Sequence, residues 1–182
     1  MLSRNGSSSR RAAAGWAFAT LAGAVAVNSA SVAAEQRWHL HTRFFGPWAA
    51  LAHATLIIPP WIAFLGASRA LPKGDLRVPE ELASGIGGVL QSGGVLVAIL
   101  GFKQLGLGAL INLDQFRPAT EPAASGIYRL VDDPIYTGYA LATAGWALRR
   151  QSMSGLVLAG LMYALLTRLQ SPIEGARDRR AK

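Results

Sequence analysis

The chain of 182 residues has no cysteine. This excludes disulfides, thiolate metal sites and cysteine nucleophiles, and leaves the compartment open. Charge is scarce too. Only 15% of residues are Asp, Glu, Lys or Arg, against about a quarter in an ordinary soluble domain. No acid occurs in the first 34 residues. No stripe of Arg and Lys interleaved with aromatics is present, which argues against a nucleic-acid surface. Phosphate-binding Gly-rich loops, zincin helices and a Ser-His-Asp order are missing as well. Gly85-x-Gly87-Gly88 is no dinucleotide fingerprint, because no strand precedes it.

What remains is apolar and unevenly punctuated. Residues 12–34, 44–68, 82–102, 134–148 and 151–167 carry no charged side chain. A helix rises about 1.5 Å per residue, so about 20 residues cross a hydrocarbon core. The first three runs reach that length. The last two extend if Arg149 and Arg168 snorkel to the interface. The expected fold is therefore all-α: a polytopic integral membrane protein with four to five transmembrane helices. The net charge of +8 then fits basic flanks beside anionic head groups.

Arg4, Arg10 and Arg11 lie among Ser and Gly before the first apolar run. Three readings fit residues 1–34: a secretory signal ending at Val32-Ala33-Ala34, an organelle-targeting segment, or a retained first transmembrane helix. The Arg-rich, acid-poor composition points to a mitochondrial inner membrane. Residues 35–182 form the helical membrane domain. Trp38, His39, His41, Phe44, Phe45 and Trp48 read as an interfacial aromatic belt. Pro59-Pro60 predicts a break in the second span, facing protein or a polar cavity. Ser84, Gly88 and Ser92 recur every four residues and predict a close-packing helix face, with Gly138/Ala142 and Gly155/Ala159 offering two more. Asp133 before Pro134 reads as a helix N-cap. Glu80-Glu81 sits in the first turn of the third span, where acids favour the helix dipole. His39 and His41 read as interfacial. His53, inside a span, is a functional candidate by default. No metal site is expected, since too few ligands converge.

Residues 126–138 read Gly-Ile-Tyr-Arg-Leu-Val-Asp-Asp-Pro-Ile-Tyr-Thr-Gly. Here the chain resembles the membrane methyltransferase superfamily of isoprenylcysteine carboxyl methyltransferases, phospholipid N-methyltransferases and NnrU-like proteins. The shared positions are Gly126, Tyr128, Arg129, Pro134, Tyr136, Gly138 and Gly145, and the likeness covers about 82–175. It implies a methyltransferase-like C-terminal helical hairpin and a pocket for S-adenosylmethionine open to lipid-borne substrates. The carried-over pocket residues are Tyr128, Arg129, Tyr136 and Glu174. Two departures stand out. The family's Arg-His pair is Asp132-Asp133 here, and its Glu-Glu pair is reduced to Glu174. From these departures the expected function is a non-catalytic, cofactor-free accessory subunit, contacting membrane lipids and other membrane subunits. The alternative is an S-adenosylmethionine-dependent methyltransferase acting on a lipid or lipidated substrate.

Overall fold

Glu80 and Glu81 lie in the first turn of a long helix, Lys103 in its last, and Gly106 at φ +86 ends it. Acids at the start and a cation at the end both favour the helix dipole. This helix, α4 (Glu80–Leu105), is one of six α-helices among the described residues. The others are α1 (Arg4–Trp38), α2 (Leu40–Phe45), α3 (Ala49–Arg69), α5 (Pro134–Arg149) and α6 (Met153–Leu165), which continues as a π-helical turn over Leu166–Gln170. The computed structural model describes residues 4–106, 116 and 126–170.

Among the described residues, three helical stretches are long and apolar enough to cross a membrane: Ser8–Trp38, Leu40–Arg69 and Glu80–Leu105. A shorter apolar helix spans Met153–Leu169. Among the described residues there is no strand. The chain is thus an all-helical, polytopic membrane protein. Residues 12–34 lie within α1, whose Ala17, Leu21, Val25 and Val32 are buried. Large apolar side chains such as Leu56, Ile62, Val89, Ile99 and Val157 point outward, as lipid contact requires.

Connectivity gives the bundle two ends. α1 and α3 pack antiparallel, with Ser31 beside His53 and with Ala17 and Leu21 in one cluster with Phe64. α4 and α5 are also antiparallel, because Gly87 faces Gly145 and Arg149 while Gly101 faces Pro134 and Ile135. α6 closes the bundle, adding Leu158, Met162 and Leu166 to the core. One end therefore holds the C-termini of α1 and α4, the start of α3, and residues 126–138; we call it the motif end. The other is the hairpin end.

At the hairpin end the turn between α5 and α6 docks on the loop after α3. Backbone N–H groups of Gly74, Asp75 and Leu76 donate to carbonyls of Arg150 and Gln151 at 2.9–3.2 Å. Asp75 accepts from the Met153 N–H at 2.7 Å, capping α6 from a separate loop. Ser152 caps the same helix by accepting from Gly155 N at 3.2 Å. The Arg150 guanidinium lies 4.7 Å from the Trp146 ring centre and donates to the carbonyl of Arg69.

Two expectations are corrected. α3 runs unbroken through Pro59 and Pro60, and Pro59 is exposed rather than facing a cavity. The two prolines deprive the carbonyls of Thr55 and Leu56 of partners. A real break in lipid would strand many more backbone groups, so the helix persists. Trp61 and Phe64, edge-on at 5.8 Å, hold the following turn in the core.

The second correction concerns packing. Ser84 and Ser92 are exposed, and a Cβ on Gly88 would meet nothing within 4 Å. The Ser92 hydroxyl turns back to the Gly88 carbonyl at 2.6 Å. The face of α4 that meets α5 instead carries Ala83, Gly87, Gly94, Ala98 and Gly101. Its glycines recur every seven residues, two helical turns, which keeps them on one seam. The four-residue spacing of Ser84, Gly88 and Ser92 selected the neighbouring face by one register position.

Candidate functional site

The stretch that carries the motif folds as a turn wedged between α4 and α5. Gly126 has φ +58, a conformation that side chains disfavour. A Cβ there would also meet the end of the flexible Gln104 side chain near the end of α4, which would have to move aside. Gly126–Arg129 form a 3-10 turn, closed by the N–H groups of Leu130 and Val131 donating to the Ile127 carbonyl at 3.0 Å. Asp133 then takes the N-cap position of α5 and Pro134 the first helical position. The Asp133 carboxylate makes no cap hydrogen bond, which corrects the expected capping role. Only its backbone carbonyl enters the helix, accepting from Thr137 N at 2.9 Å.

Side chains of different character therefore gather at the start of α5. Arg129 and Asp132 are exposed, and Tyr128 and Asp133 are half-buried. Tyr136 is half-buried against the cluster that includes Leu158, Met162 and Leu166. Tyr139, one turn on, approaches Phe102 with ring centres 6.1 Å apart. Glu174 lies outside the described residues.

The remaining motif glycines serve the seam. A Cβ on Gly138 would sit 2.6 Å from both the Ala98 nitrogen and the Gly94 carbonyl. Gly145 faces the backbone of Gly87 and Gln91. Contacts this close leave room for no carbon. Gly155 lies elsewhere, with its would-be Cβ 2.7 Å from the Ala147 methyl at the hairpin end. An open apolar groove of about 390 Å³ is lined by Glu81, Leu82, Gly85, Ile86, Val89 and Leu90. It occupies the outward face of α4, about 20–35 Å from Gln104 along the helix, and takes no part in the motif.

A second polar cluster escaped the sequence reading. Ser31 and Glu35, one turn apart on α1, are buried with His41 of α2 and His53 of α3. Phe116, from the segment joining α4 to the motif, covers both imidazoles edge-on, its ring centre 6.1 Å from His41 and 5.6 Å from His53. The four-residue spacing of Ser31 and Glu35 was the available signal. His39 is exposed, with φ +49. Among the described residues no group of three or more His, Asp or Glu is placed to hold a metal ion.

Comparison with known proteins identifies the motif region. A family model described as phospholipid methyltransferase matches residues 82–176. The chain belongs to the phospholipid methyltransferase family. A phosphatidylethanolamine N-methyltransferase B of Dictyostelium discoideum is 34% identical over 89 residues, covering 47% of this chain. The matched stretch spans 44% of that relative's length. No solved structure matches. The family match contains nearly all of α4, the motif turn, α5 and α6, and so takes in both sides of the glycine seam.

Proposed function

We propose that this protein transfers a methyl group from S-adenosylmethionine to the head-group amine of a phospholipid. The observation that supports this most is the extent of the family match, which takes in every element around the motif. The similarity to a phosphatidylethanolamine N-methyltransferase favours an ethanolamine-type head group. It also favours the catalytic alternative over the accessory-subunit reading.

The residues present suit such a donor. S-adenosylmethionine carries a sulfonium, an ammonium, a carboxylate and a flat adenine. Asp132 and Asp133 match the two cations, Arg129 the carboxylate, and Tyr128 the ring. Asp132-Asp133 thus reads as a changed way of holding a dipolar ligand, rather than as a lost clamp. When bound, the donor supplies an electrophilic methyl on sulfur. The chain's part is to seat it at the membrane interface, where a lipid amine can reach it, and to exclude water.

The test is methyl incorporation by purified, full-length protein. Labelled S-adenosylmethionine and phosphatidylethanolamine vesicles should yield labelled lipid. Asp132→Asn and Arg129→Ala should each weaken donor binding by about tenfold to a hundredfold, as loss of a charged hydrogen bond does. A folded wild type that neither binds the donor in calorimetry nor labels lipid would overturn the proposal and leave the accessory-subunit reading.

A further inference from the structure

We propose that Glu35, His41, Ser31 and His53 form a proton relay that accepts the proton a lipid amine must lose before it is methylated. This rests on the methyltransferase reading above.

The geometry is a wire across three helices. Glu35 accepts from the backbone N–H of His41 at 2.8 Å and of Thr42 at 3.2 Å, and from the Thr42 hydroxyl. Its Oε2 lies 3.3 Å from Nδ1 of His41, within ion-pair distance but without the alignment of a hydrogen bond. Nε2 of His41 is 3.2 Å from the Ser31 hydroxyl. That hydroxyl is 2.7 Å from Nδ1 of His53, whose side chain is 0% exposed. The two imidazoles meet edge-on at 5.4 Å.

One hydroxyl carries one proton. If Ser31 donates to His53, His41 must supply the other hydrogen from Nε2. If Ser31 donates to His41, His53 must supply it from Nδ1. Both arrangements satisfy the same distances, so the wire can carry its mobile proton in either sense. Glu35 places a carboxylate oxygen 3.3 Å from Nδ1 of His41, at the far end of the wire from His53. The other ionisable side chains on these elements at this end, Arg37, His39 and Arg43, are exposed.

Two observations connect the wire to the motif. Both lie at the same end of the bundle, since Ser31 and Glu35 belong to the last turns of α1 and His53 to the early turns of α3. Phe116, lying between α4 and the motif in sequence, packs on both imidazoles. The Glu35 carboxylate also satisfies the first N–H groups of α2, but that role requires neither imidazole. His53 lies inside a membrane-spanning stretch, where an ionisable side chain is costly and reads as functional by default.

The step balances. The head-group ammonium gives one N–H proton to the relay, where it comes to rest on His41 against Glu35. The freed lone pair forms the N–CH3 bond as the S–CH3 bond of the donor breaks, leaving a neutral thioether. The product is a methylammonium, and the relay returns its proton to water.

The experiment uses full-length protein in nanodiscs with phosphatidylethanolamine. For His53→Gln we expect a maximal rate lowered about a hundredfold near neutral pH, within the range general bases contribute. KM for donor and lipid should stay within twofold. The loss should shrink as pH rises and the amine loses its proton unaided. Ser31→Ala should give the same pH dependence if His53→Gln fails to fold. In nitrogen-15 spectra of the histidines without donor, Glu35→Gln should move the titration of both buried rings. An active wild type whose His53 and Ser31 variants keep its pH–rate profile would overturn the relay and leave the function standing. Rings that titrate independently would do the same. A folded wild type that methylates no lipid amine would overturn both.

Discussion

Glycine at 94 and 138 is a matter of available space. The two backbones meet so closely that a methyl group on either would fall 2.9 Å or less from three atoms of the other helix. Gly94→Ala or Gly138→Ala must push α4 and α5 apart, and overpacking of this kind costs about 1–3 kcal/mol. Gly88 is the matched control, because it faces open space on the same helix. Thermal unfolding in detergent should show both alanine variants destabilised, while Gly88→Leu stays within about 0.5 kcal/mol of wild type. The opposite ranking would mean that α4 packs through its Ser84–Gly88–Ser92 face. At residue scale the motif glycines thus fall into two kinds. Gly126 permits a left-handed turn, whereas Gly138 and Gly145 permit contact between helices.

The helices themselves were largely legible in the sequence, because lipid imposes long uncharged runs. Asp133-Pro134 and Arg149 mark α5, and observed and expected bounds agree there. Spacing within a run was less informative. The runs of α4 contain small residues on two adjacent faces, and nothing local says which face meets a partner. The seam became visible only with α5 opposite. The buried wire was hidden for a similar reason: Ser31, His41 and His53 are far apart in the chain and meet through the α1–α3 hairpin. The helix caps show the same dependence. Ser152 precedes α6 directly, but Asp75 arrives from a loop nearly 80 residues earlier. Asp75→Ala should remove that cap and cost about 0.5–2 kcal/mol. Equal stability of variant and wild type in chemical unfolding would show that Ser152 suffices alone.

For the whole molecule, the order of crossings fixes which loops share a side. α1 ends, α3 begins, α4 ends and α5 begins at the motif end. The loop after α3 and the α5–α6 turn share the other. The exposed Trp38, Phe44, Phe45 and Trp48 gather at the motif end, where aromatic side chains favour the head-group layer. That would hold Arg129 and Asp132 at the depth of a lipid head group. The absence of cysteine makes this directly measurable. Leu130 is 82% exposed, and Arg43 and Lys73 lie at opposite ends of α3. Single variants Leu130→Cys, Arg43→Cys and Lys73→Cys can be challenged in sealed vesicles with a membrane-impermeant maleimide. Leu130→Cys and Arg43→Cys should label from one side and Lys73→Cys only from the other. If Lys73→Cys labelled together with Leu130→Cys, then α3 and α4 would not cross the bilayer as a pair. The motif would then lie away from the interface that a lipid amine can reach.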